Sequence, residues 1–159
     1  MSEHALSLER TFRASPANVW RCLTEAELIR QWFAPAPVTV PVAELDPVPG
    51  GTFHVVMDVP DHGRIDEGAG CVLLVEHEKR LVWTNAMRPG FVPRRFGDGP
   101  MEFPMTAEMT VGPDGNGGCR YVARALHASA ADAANHERMG FHEGWGTAAD
   151  QLGERAAAL

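Results

Sequence analysis

The chain lacks nearly every residue pattern that announces a chemistry. Its cysteines number only three, Cys22, Cys71 and Cys119, odd in count and widely spaced. They form no C-x-x-C pair, which argues against both a zinc knuckle and a disulfide framework. Such thiols suit a reducing, cytoplasmic setting in which they stay buried and unpaired. His136-Glu137 is followed by Gly140, where a zinc-binding H-E-x-x-H helix needs its second histidine. His136 and His142 do not share a helical face, so no metal is expected. There is no G-x-S-x-G elbow for a serine nucleophile. No P-loop or G-x-G-x-x-G opens a helix, so no nucleotide cofactor is expected. Basic residues are scarce, 14 against 21 acidic, for a net charge of −7. That balance argues against a nucleic-acid surface, which needs a basic face. No apolar run approaches the roughly 20 residues that span a membrane, so no membrane insertion is expected. The opening Met1-Ser-Glu-His has neither the basic nor the apolar region of a secretion signal.

What is present reads as one domain over residues 1–159. The organising stretch is the last one, Ser129 to Leu159, predicted as a single long helix. Phe141, Trp145, Ala148 and Leu152 recur at steps of four, three and four, one helical face. Ser129 is the expected N-cap, with Asp132 in the first turn. Gly140, Gly144, Gly146 and Gly153 oppose the helix, each by about 1 kcal/mol relative to alanine. The offset expected is close approach of the helix to a sheet, or room beneath it for a ligand.

Upstream, Leu6 to Ala14 alternates as a half-buried strand, with Arg10 pointing inward against the pattern. For Arg10, a structural pair with Glu9 or another carboxylate is favoured over an anion clamp. Ser15-Pro16 opens a short helix with Val19, Trp20 and Leu23 on its apolar side. Thr24, with Glu27 three residues on, is expected to cap a second short helix that turns Leu28, Trp32 and Phe33 inward. Strands follow: Val38–Leu45, an edge because of Pro41; Thr52–Val59; Gly68–Glu76; Arg80–Met87; Met101–Val111; and Cys119–His127, after the turn Pro113-Asp-Gly-Asn-Gly-Gly118. Pro60 to Gly63 reads as a turn. The proline- and glycine-rich segment 88–100 reads as a mobile lid or binding loop, with Arg94-Arg95 as solvated residues on it. The fold class is α+β: an antiparallel meander whose free face only the terminal helix is large enough to cover.

In this order, the segments Arg10-Thr-Phe-Arg-Ala-Ser-Pro16, Val19-Trp20, Leu23-Thr24, Trp32, Pro49-Gly50-Gly51-Thr-Phe53, Gly70-Cys-Val72, Arg80-Leu-Val-Trp83 and His142-Glu-Gly-Trp145 with Leu152 carry a resemblance. The chain resembles the activator of heat-shock protein 90 ATPase homologue family, within the START-like (SRPBCC) superfamily. The resemblance covers nearly the whole chain. It implies a helix-grip fold, a curved antiparallel sheet around a C-terminal helix with a hydrophobic cavity between. It does not name a ligand, because the superfamily spans lipid and hormone binders, cyclases, dioxygenase subunits and co-chaperones.

The residues expected to line such a cavity are Trp32, Phe53, Met57, Trp83, Met105, Met109, Phe141 and Trp145. Taken singly each is as well explained as core; together they describe an adaptable apolar wall. Asn85 and His127 fall on the same strand parity and can each offer a ligand one hydrogen bond. Three functions follow. The first is binding of a small apolar or aromatic ligand beneath the helix, gated by segment 88–100. The second is a cyclase- or hydrolase-type enzyme with His127 as acid or base and Asn85 at an oxyanion. The third is a co-chaperone-like module acting through its surface. The partner expected is a small apolar ligand, with a homodimer admitted and no cofactor, metal or nucleic acid.

Overall fold

The structure, a computed structural model, describes residues 4–99 and 102–159. Met101, expected to open a strand, and Pro100, expected to end the loop before it, lie outside the described residues. The first strand, β1 (Ala5–Phe12), leads into α1 (Pro16–Thr24). Proline at the first helical position has no N–H to leave unpaired, and the Ser15 hydroxyl accepts the Asn18 N–H at 3.1 Å. The second helix, α2 (Ala26–Trp32), starts from Glu25 with no side-chain cap. Thr24 does not cap it as expected. It is the last residue of α1, and its hydroxyl donates back to the Trp20 carbonyl at 2.8 Å. Glu25 both closes α1 and opens α2, so no extended residue is left at position 24 to act as a cap.

Seven strands then make the wall in the order β1, β10 (Cys119–His127), β9 (Met105–Pro113), β6 (Arg80–Thr84), β5 (Gly70–Glu76), β3 (Thr52–Val59), β2 (Thr39–Leu45), with short β4 (Gly63–Ile65) paired to β3. All neighbours are antiparallel. The proline-bearing β2 is an edge, with a register shift between Thr39 and Val42 around Pro41. Along β10, Cys119, Tyr121, Ala123, Ala125 and His127 are buried while the residues between them are not. That is the period-2 pattern of a sheet with one covered face. The segment read as part of a strand to Met87 and a lid is instead a separate hairpin, β7 (Met87–Arg88) with β8 (Val92–Pro93). Phe91 between them has φ +63°.

The terminal helix is two helices, α3 (Ala130–Arg138) and α4 (Phe141–Ala157). Gly140 breaks them at φ +96°, a conformation a side chain resists. Its cost therefore falls in a turn, not a helix interior. Ser129 caps α3 by accepting the Asp132 N–H at 3.1 Å. α3 buries no residue, whereas α4 buries Phe141, Gly146, Ala148, Ala149, Leu152 and Ala156. The three glycines left inside α4 have two different reasons. A Cβ on Gly153 would lie 2.5 Å from the Phe12 ring, and one on Gly146 would lie 2.9 Å from Arg10. Here the helix touches β1. Around Gly144 nothing lies within 4 Å. Arg10 leans toward the helix and pairs with Asp150 at 3.0 Å, while also donating to the Glu9 carbonyl. This is a curved antiparallel sheet closed by a C-terminal helix, the α+β helix-grip arrangement.

Candidate functional site

Between the concave sheet face and α4 lies a cavity of about 480 Å³. Its wall follows from strand parity. Every second residue of β3, namely Phe53, Val55, Met57 and Val59, faces it, as do Met105 and Met109 of β9 and Tyr121 and Ala123 of β10. The opposite side comes from one face of α4: Phe141, Gly144, Trp145 and Ala148. Trp32 and Phe33 close the α2 end. The aromatic floor is tightly arranged, with Phe53 and Trp83 stacked at 4.0 Å and 7° and Phe33 tilted against both. Phe141 and Trp145 pack 4.7 Å apart across from it. Each of these ring contacts adds to the burial of the side chains that make it.

Nine of the residues singled out from sequence line this space: Trp32, Phe53, Met57, Trp83, Asn85, Met105, Met109, Phe141 and Trp145. The tenth, His127, stands one side chain behind the wall. Its Nδ1 lies 2.8 Å from the His4 carbonyl oxygen and its Nε2 lies 2.9 Å from Nδ1 of His136. It is His136 that borders the cavity. Asn85 reaches the wall with its amide already engaged. Its Oδ1 accepts the Met105 N–H at 2.7 Å and its Nδ2 donates to the Phe103 carbonyl at 3.1 Å. The side chain straps the end of β6 to the approach of β9, work an oxyanion-hole group could not share without loosening that join.

Four polar side chains on the wall were not anticipated: Glu67, Arg94, Tyr121 and His136. Arg94 corrects the expectation of a solvated pair. Arg95 is exposed, but the Arg94 side chain is only 7% exposed. It lies over the Phe96 ring at 4.4 Å and reaches Glu102 at 3.4 Å. The β7–β8 hairpin aims it there, because its own N–H donates to the Ala86 carbonyl. Burial pushes the Glu67 carboxyl up from its usual range, and Arg94 pulls the other way. Tyr121 is 2% exposed, and burial raises its phenol. Its parity was legible, its place on the cavity was not. Trp83 Nε1 is buried with no acceptor among the described residues.

Burial, reinforced by His127, pushes the His136 imidazole down to about 4 from an ordinary 6.5. The unfolded chain therefore takes up this proton first as pH falls. Stability from the neutral ring is complete above about pH 6.5, declines below it, and levels off near pH 4. The ring is only partly covered, so the effect is discounted to a loss of about 1 kcal/mol between pH 7 and pH 5. Urea unfolding at the two pH values should show it, and His136→Leu should remove most of that difference.

The comparisons agree with this geometry. The family model for "Activator of Hsp90 ATPase homolog 1-like protein" matches residues 13–157. A Nitrosomonas europaea protein of known crystal structure is 38% identical, with a TM-score of 0.88 over 98% of this chain and 96% of that one. A Mycobacterium smegmatis protein, 20% identical with a TM-score of 0.77 over 98% of this chain and 91% of its own, shares the fold. So does a Silicibacter pomeroyi protein called AHSA1, 20% identical with a TM-score of 0.70 over 97% and 98% of the two chains. No curated protein matches the chain. With a family model spanning all but the chain's two ends, and the same sheet and helices recurring in a relative at this identity, the chain belongs to the Activator of Hsp90 ATPase homolog 1-like family.

Proposed function

We propose that the protein binds a small, mainly apolar or aromatic molecule between the sheet and α4. The family fold is of a ligand-binding or co-chaperone type. The observation that carries the first reading is the cavity itself. Protein interiors are normally filled, with few voids larger than a water. Here about 480 Å³ is left open behind aromatic walls, within the range of small-molecule sites. Methionines at 57, 105 and 109 supply soft surfaces that adjust to ligand shape. The cyclase or hydrolase alternative has less support, since His127 does not border the cavity and Asn85 is committed to backbone.

Three of the four tryptophans, Trp32, Trp83 and Trp145, line the space, so their emission reports on its contents. Titration with 2-methoxynaphthalene and with larger fused aromatics should give saturable quenching with at least one probe. Unchanged emission across one-, two- and three-ring probes would count decisively against the site. Native mass spectrometry of freshly purified protein should show a co-purifying mass that organic solvent removes.

A further inference from the structure

The two histidines at the α3 end of the cavity determine each other's protonation. The carbonyl oxygen of His4 can only accept, so His127 Nδ1, 2.8 Å away, carries its hydrogen. The same oxygen also accepts the His127 backbone N–H at 3.1 Å. In a neutral ring the other nitrogen is then a lone pair. His127 Nε2 therefore accepts, and His136 Nδ1, 2.9 Å away, must donate. His136 stays neutral near pH 7. That leaves His136 Nε2 as a bare lone pair on a residue that borders the cavity. It has no hydrogen-bond donor among the described residues. Around the ring stand Phe103, Phe141 and Trp145, with centroids 5.4, 5.2 and 5.8 Å away. None of these rings hydrogen-bonds to it; Phe103 and Phe141 have no ring N–H to give, and the Trp145 indole meets it only as a ring contact.

From this geometry we infer that His136 Nε2 is a hydrogen-bond acceptor of the site and that it selects ligands bearing a hydroxyl donor, a phenol or an enol, on an aromatic body. The inference rests on the cavity-binding reading and adds a chemical class to it. His127 is a positioning residue: it never touches the ligand but fixes which His136 nitrogen is bare, as the second partner of an imidazole generally does. A methyl ether or a plain hydrocarbon of the same shape fills the space but leaves the lone pair unmet. A carboxylate has no proton to give to that lone pair.

The test compares 2-naphthol and 2-methoxynaphthalene by calorimetry with the full chain. The naphthol should bind about three- to tenfold more tightly than its methyl ether, the span of one net hydrogen bond. His136→Leu should erase that preference, read as the ratio of the naphthol and ether affinities within the same variant. Nitrogen-15 NMR of the imidazoles should show His136 protonated at Nδ1 and bare at Nε2. Three results would each overturn the assignment: equal binding of naphthol and ether to the unaltered protein, a preference that survives His136→Leu, or a proton on Nε2. If neither naphthol nor ether binds, the acceptor assignment falls, and the cavity-binding reading falls with it when the one- and three-ring probes also leave the emission unchanged. If the ether binds and the preference is missing, only the acceptor assignment falls. The NMR result does not depend on the variant's folding.

Discussion

Replacing Gly153 with valine is expected to cost about 2–3 kcal/mol of stability, the range of overpacking in a filled core. Helix propensity alone points the other way, since a glycine inside a helix is worse than alanine by about 1 kcal/mol. The deciding contact is with β1. A Cβ at position 153 would lie 2.5 Å from Cδ1 and 2.7 Å from Cε1 of Phe12. Phe12 is 7% exposed and stacked on Tyr121 at 5.5 Å, so its ring cannot swing clear without breaking that contact. Even Gly153→Ala should therefore destabilise. Gly144→Ala sits in the same helix with nothing within 4 Å of the added carbon. There the propensity gain is unopposed, and stability should rise by about 0.5–1 kcal/mol. Chemical denaturation of the two alanine variants would separate them by sign. A rise in stability for both would show that close approach to Phe12 does not govern position 153.

That contrast also marks what could be read from the chain alone. Four glycines in an apparent helix require an offset, and periodicity cannot say which offset belongs to which glycine. Gly140 turns the chain at φ +96°, Gly146 and Gly153 admit β1, and Gly144 opens on the cavity. The apolar wall was legible because period-2 alternation on β3, β9 and β10 is set by the sheet itself, and the phase of one apolar residue fixes the rest. The polar part was not. Arg94 and Glu67 sit in irregular segments, where no period links a residue to a face. Arg94 is brought inward by a small hairpin that proline and glycine content disguised as a free loop. His127 was assigned correctly to the covered face of β10, and parity could say no more. Whether a ligand or another side chain meets it depends on α3, which brings His136 back to it nine residues on and stops before Gly140, a break that periodicity does not reveal.

Gly144→Leu should weaken binding of any cavity ligand by at least tenfold, about 1.4 kcal/mol, while leaving the protein folded and no less stable. The position combines three properties. It lies inside α4, where leucine is a good helix former and glycine a poor one. Its added carbon meets no neighbour. It faces the cavity one turn from Phe141 and Ala148, beside Trp145. A leucine there extends into the space a ligand would use, and the apolar surface it buries supports the fold it leaves intact. Cavity-filling changes at Ala123 or Ala149 would have to push against residues already packed around them, since both are almost fully buried. The measurement is the affinity of 2-methoxynaphthalene by tryptophan quenching, beside the urea midpoint of the same sample. Loss of binding with an unchanged or higher midpoint places the ligand under the helix. Full affinity in the leucine variant would place it elsewhere on the molecule, because no aromatic probe of that size could occupy the wall at Gly144 and ignore a side chain put in its way.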